Sequence, residues 1–249
     1  MATIRLKEID TKAPKDFHKE KTIKDTGKII KDLDELQNRL FADSNYSVLV
    51  VLQGMDASGK DRTLRKVFGR LNSLGVKAYA FKAPEESELA HDFLWRVHKV
   101  VPAKGTMAVF NRSYYEDVLV TRVHGSCNDE NAKMRMKAIN EFENLLAADN
   151  NTRIFKFYLH ISHDEQVERL NERIKDPRKQ WKYNKRDFDE SALWEKYMKM
   201  YEDVFEHCNR IPWMIIPADQ KWYKDYLVAK TVRDALEKLD LEYPRLKEK

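Results

Sequence analysis

The stretch "SVLVVLQGMDASGKD", residues 47–61, decides the fold. An unbroken apolar run of strand length passes into G-x-x-x-x-G-K, from Gly54 to Gly59-Lys60, and a helical pattern follows. A strand apolar on both faces belongs inside a parallel sheet covered on both sides. Glycines let backbone N–H groups crowd around phosphate oxygens, and a helix starting near Lys60 points its positive end at the same spot. Gly54, Ala57, Ser58, Gly59 and Lys60 are therefore the expected phosphate-binding loop, with Lys60 bringing a full charge to a bridging or terminal phosphate. Asp61 stands where Ser or Thr would hold magnesium, and Asp56 lies inside the loop. Carboxylates beside bound phosphate repel it unless a divalent cation lies between, so both are candidate ligands for Mg²⁺, or for Mn²⁺ in its place. The bland alternatives are a favourable first-turn acid for Asp61 and a turn former for Asp56.

Outward from the loop, strand-like and helix-like runs alternate. Ile30, Leu33, Leu36 and Leu40 predict an amphipathic helix over 27–43. Strands are expected at 47–53, 76–82, 105–111, 153–161 and 211–217. Helices are expected at 60–75, 86–101, 129–149, 162–175, 189–208 and 219–240, with Ser162 and Glu165 as a capping box. The alternation predicts an α/β three-layer sandwich, a five-stranded parallel sheet covered by helices. Residues 1–27, charged and broken by Pro14, are expected to form an arm that wraps the body or supports an oligomer. Residues 28–249 are then one domain.

In open parallel sheets, sites form at the carboxyl edge of the strands. The third expected strand ends in "FNRSYYEDVLVTRVHG", 110–125. Asn111 occupies a position where an acid often holds magnesium, and Asp117 could restore the charge six residues on. Arg112 and Arg122 bracket it and suit charge neutralisation in phosphoryl transfer. The alternative makes Glu116 and Asp117 plain first-turn acids. His124 reads as a structural polar residue. The segment "RIKDPRKQWKYNKR", 173–186, falls outside the core pattern. Its place after the fourth strand suits a lid inserted at about 165–190. Arg173, Arg178, Lys179, Lys182, Lys185 and Arg186 would close over phosphates, and Trp181 would shield the site or stack.

The hydrophobic fraction of 42% supports a real core, and a net charge of +5 suits a polyanionic partner only if the positive charge clusters. Cys127 and Cys208 sit in no metal or redox spacing, which favours a reducing compartment. No apolar run reaches membrane-span length and the N-terminus lacks a signal-peptide core, so a soluble cytoplasmic protein is expected.

Together "LQGMDASGKD", "FNRSYYEDVLVTRVHG" and "DPRKQWK" resemble the polyphosphate kinase 2 family, across about residues 20–235. The resemblance implies a P-loop kinase-like core with a helical lid, magnesium dependence, and a homodimer or homotetramer. It assigns Asp56 and Lys60 to the loop, Asp117 and Arg122 to the region after the third strand, and Arg178 and Lys182 to the lid. It implies transfer of phosphoryl groups from inorganic polyphosphate to ADP and AMP. Asn111, where many members have Asp, together with Asp61 resembles the subgroup acting on both nucleoside mono- and diphosphates. Lys66, Arg70, Arg112, Arg122 and the lid are candidates for a polyphosphate track. Two other readings share these features: an ATP-dependent nucleoside or nucleoside monophosphate kinase, and a non-catalytic polyanion-binding module. A nucleic-acid partner is not expected, because the basic segment lacks regularly interleaved aromatics.

Overall fold

The computed structural model describes residues 4–246, so residues 1–3 of the expected arm and 247–249 of the expected domain lie outside it. Five strands form the core: β1 (Ser47–Gln53), β2 (Val76–Ala80), β3 (Met107–Asn111), β4 (Thr152–His160) and β5 (Trp213–Pro217). They run parallel in the order β2-β3-β1-β4-β5. β1 is central, all seven of its residues are buried, and it pairs Val50 with Val109 on one side and Phe155 on the other. Since β1 sits between β3 and β4, the chain reverses its winding direction there, and the loop after β1 faces the resulting crevice. The expected α/β sandwich and its five parallel strands are present.

The helices are α1 (Lys19–Asp43), α2 (Lys60–Thr63), α3 (Glu86–Leu89), α4 (Trp95–His98), α5 (Val120–Val123), α6 (Asp129–Asp149), α7 (His163–Lys175), α8 (Arg186–Ala192), α9 (Trp194–His207) and α10 (Lys221–Glu237). α1, α2 and α10 pack together in one layer, and α5, α6 and α9 in another. Among the described residues no helix is long and apolar enough to cross a membrane. Both cysteines are free and buried.

Several boundaries differ from expectation. α1 begins at Lys19, well before 27, because polar side chains there still follow a helical backbone whose Thr22 and Thr26 are buried. Ahead of α1, the Leu6 amide donates to Glu202 (2.8 Å), and Leu6 itself is buried. The expected helix 60–75 is only α2 and a π-helical turn, Leu64–Phe68. It stops at Gly69, where a Cβ would stand 2.4 Å from the Arg65 carbonyl oxygen. The expected helix 86–101 divides into the short α3 and α4, with Asp92 capping the break through the Leu94 amide (3.0 Å). The expected helix 189–208 likewise divides at Leu193 into α8 and α9. Ser162 caps α7 as the spacing predicts, accepting from the Glu165 amide.

One polar cluster lies inside this core. Lys156 of β4 donates to Glu143 of α6 (2.8 Å), the Tyr115 hydroxyl (2.9 Å) and the Cys208 carbonyl (2.8 Å). Both Tyr114 and Tyr115 donate to the same Glu143 oxygen, at 2.8 and 2.7 Å. Every charge and hydroxyl is thereby partnered, which is the condition for burying them. The cluster pins the turn that follows β3.

Candidate active site

β1 delivers the loop Gly54–Gly59 to the carboxyl edge of the sheet, and α2 opens directly from it. Gly54 has φ +147°, and a Cβ there would stand 2.8 Å from the Leu159 carbonyl oxygen of the neighbouring strand. Gly59 has φ +95°, which an L side chain resists. Ala57 also takes a left-handed φ of 61°.

The loop is tied down from behind by side chains. Lys60 Nζ donates to the Gly54 and Met55 carbonyls at 2.6 and 3.0 Å. Gln166 Nε2 reaches the Asp56 carbonyl at 3.1 Å, and Arg169 reaches that of Ala57 at 3.0 Å. Lys224 Nζ takes the carbonyls of Ser58 and Gly59 at 3.3 and 3.0 Å. Ser58 Oγ is buried without a hydrogen-bond partner among the described residues.

Arg112, at the exit of β3, has a left-handed φ of 60°. That conformation is strained for a side-chain-bearing residue and clusters at functional positions. It accompanies a guanidinium set 2.6 Å from Asp56. Burial pushes the Asp56 carboxyl up, but Lys60 and Arg112 outweigh it and hold the group below the usual carboxylate range. For Lys60 burial wins over Asp56, and its ammonium sits below the usual lysine range. Glu116 faces the same cluster. Burial raises its pKa against the pull of Arg112 and Lys60. The loop's own acid is therefore neutralised by the protein's cations.

Asp61 and Asn111 meet: the amide donates to the carboxylate at 2.6 Å. The basic segment 173–186 reaches the same carboxylate through Lys182, at 3.2 Å. Arg173 pairs with Asp187 of α8 and also donates to the Lys182 carbonyl (3.3 Å). Lys179 pairs with Glu172 at 2.6 Å, and Arg178 with Asp176 at 3.1 Å. Arg178, Trp181, Lys185 and Arg186 face solvent. Lys66 and Arg70 are exposed on the turn beyond α2.

Asp117 and Arg122 are not brought to the loop. The buried Asp117 Oδ2 is ion-paired with Arg96 at 3.6 Å, just beyond hydrogen-bond range. Arg122 pairs with Asp203 and Asp129, at 2.5 and 2.9 Å. His124 pairs with Glu190, as a structural polar residue would. In the sequence Glu116 reads as a first-turn acid, and nothing marks Gln166, Arg169 or Lys224. Glu116 carried a usable signal, being four residues beyond Arg112 on the same turn. The other three lie on helices far away in the chain and carry no local signal.

The donor set is chemically suited to a hard divalent cation: carboxylates of Asp56 and Asp61 with the Asn111 amide beside them. Among the described residues no three His, Cys, Asp or Glu side chains gather as a self-sufficient metal cage. Mg²⁺ is commonly held by one or two carboxylates together with substrate phosphates.

Residues 16–244 match the sequence profile of polyphosphate kinase 2 (PPK2). A Meiothermus ruber protein described as AMP/ADP-polyphosphate phosphotransferase is 46% identical over 215 residues, 86% of this chain and 80% of that one. An ADP-polyphosphate phosphotransferase from Rhodopseudomonas palustris is 39% identical over 229 residues, covering 86% of this chain and 79% of that one. The crystal structure of Polyphosphate Kinase 2 from Arthrobacter aurescens TC1 superposes with a TM-score of 0.96 at 38% identity, covering 100% of this chain and 90% of that one. With the loop, the arginine at the β3 exit and the basic segment 173–186 all assembled at one sheet edge, and the profile spanning nearly its whole length, the chain belongs to the polyphosphate kinase 2 family.

Proposed function

We propose that the chain is a polyphosphate:nucleotide phosphotransferase that moves a terminal phosphoryl group of inorganic polyphosphate to ADP and to AMP, reversibly. One observation carries the reading: the phosphate loop is flanked by Arg112 on one side and by the lid's Lys182 on the other. The acceptor is an already ionised phosphate oxygen, so no strong general base is needed. The work is positioning and charge neutralisation. The similar Meiothermus ruber protein, described as acting with AMP and ADP, supports both acceptors.

Lys60 would leave the Gly54 and Met55 carbonyls for a phosphate oxygen, and Arg112 would stabilise charge on the transferred group. Asp56, Asp61 and Asn111 would hold Mg²⁺, or Mn²⁺, which supplies neutralisation of phosphate charge. Glu116 would orient Arg112 and Lys60. Asp117, ion-paired with Arg96, and Arg122, paired with Asp203 and Asp129, would act by holding the turn after β3. Lys66, Arg70, Arg173, Arg178 and Lys179 would extend the basic track. The enzyme is proposed to work in the cytoplasm as a homodimer or homotetramer, which light scattering resolves.

The direct test offers purified protein polyphosphate and Mg²⁺ with ADP or AMP, and resolves products by chromatography. ATP from ADP and ADP from AMP are expected. Turnover that needs ATP and ignores polyphosphate would identify a nucleoside or nucleoside monophosphate kinase instead. Salt-sensitive binding with no product would mark a polyanion-binding module.

Lys182 is expected to exchange Asp61 for a phosphate when the lid closes. Lys182→Ala should raise KM for polyphosphate about tenfold, the scale of one charged hydrogen bond, with a smaller change in kcat. Initial rates against polyphosphate at saturating ADP check this; an unchanged KM removes Lys182 from the track.

A further inference from the structure

The carbonyls of the loop point inward because side-chain donors hold them there. A trans peptide directs its C=O and its N–H to opposite sides. Holding the Ser58 carbonyl inward turns the Gly59 amide outward, and holding the Gly59 carbonyl inward turns the Lys60 amide outward. Lys224 Nζ donates to both carbonyls, sharing that of Ser58 with Arg169 (3.4 Å) and that of Gly59 with the Thr63 amide (3.0 Å). Its side chain is completely buried, and its ammonium stands where a Cβ on Gly59 would approach within 2.2 Å. Lys224 belongs to α10, far from the loop in sequence and absent from every motif noted above.

We propose that Lys224 is a positioning residue for phosphoryl transfer, a second cation beneath the loop that aims the Gly59 and Lys60 amides at the bound phosphate chain. The inference rests on the phosphotransferase reading and deepens it. Asp225, 4.0 Å away, is a poor counter-ion because it already accepts from Thr63 (3.1 Å) and Arg62 (3.2 Å). Lys221 on the same helix, Arg62 of α2 and Arg169 of α7 add like charge. Burial, with these cations, pushes the Lys224 ammonium down to about 7. A phosphate anion above the loop favours its protonated form, so binding should draw a proton onto Lys224 near neutral pH. Affinity then weakens as pH rises through this range.

Calorimetric titration of the full chain with tripolyphosphate, in two pH 7.5 buffers of different ionisation enthalpy, reads affinity and proton uptake together. Lys224→Met should bind about tenfold more weakly or worse and take up fewer protons than the unaltered chain. Lys230→Met, further along the same helix where the lysine pairs with Asp234, should change neither. Should Lys224→Met fail to melt as a folded protein, Lys224→Arg carries the test. It keeps donors and charge but does not titrate, so it should retain affinity and lose the extra uptake. Equal affinity and equal uptake in a folded Lys224 variant would overturn the inference. Equal losses in Lys230→Met would overturn it too, by showing a general charge effect. If the unaltered chain fails to bind tripolyphosphate, the phosphotransferase reading fails instead.

Discussion

Replacing Lys60 with Met is expected to lower kcat by about 10²–10³-fold while the protein stays folded. The ammonium is almost wholly buried at the mouth of α2 and is oriented by the Gly54 and Met55 carbonyls and by Asp56. A charge fixed in a water-poor site acts on developing charge far more strongly than one in bulk water. Met keeps the length and the packing but supplies neither proton donor nor charge. Arg112 still covers Asp56 at 2.6 Å, so the loop acid does not become an unpaired buried charge. The fold should therefore survive. The measurement is ATP formation from polyphosphate and ADP, beside a thermal melt. A folded variant with more than a tenth of the original kcat would show that Lys60 does not contact the transferred group.

The largest stability loss is expected at Lys156→Met. Both members of the Lys156–Glu143 pair are fully buried, and removing one leaves the other charged and without its partner. A cost of about 3–5 kcal/mol follows, on the order of 10 °C in Tm for a chain of this length. Replacing both, as Lys156→Met with Glu143→Leu, should recover much of it, because the desolvation penalty goes with the charges. Calorimetric melting of the single and double variants checks this. A single variant melting within 2 °C of the parent would sink the claim. Tyr115 bonds to both members of the pair and directly precedes Glu116, so Lys156→Met should also loosen the Arg112–Glu116 turn and lower kcat.

The strand pattern was legible because burial on both faces leaves an unbroken apolar run, as at 47–53. Loop glycines and the carboxyl-edge arginine were legible because phosphate chemistry demands them at short range. Residues 86–101 read as one helix, since residues of good helical propensity surround a break made by the Asp92 side chain. Asp117 was expected to restore, six residues on, the charge that Asn111 lacks at the strand edge. The turn after β3 instead sends alternate side chains to different places: Glu116 faces Lys60 and Arg112, and Asp117 faces Arg96.

The amino-acid order alone determined a parallel sheet, a phosphate loop after its first strand and a basic insertion after its fourth. Each is written in a stretch shorter than about twenty residues, over which periodicity and turn chemistry act. Tertiary structure alone decided which cations neutralise Asp56, where Lys182 rests, and what supports the loop from beneath. Gln166, Arg169 and Lys224 meet it only after the sheet closes, since hydrogen bonds and charges act through space across 3 Å while the chain separates those partners by more than a hundred residues.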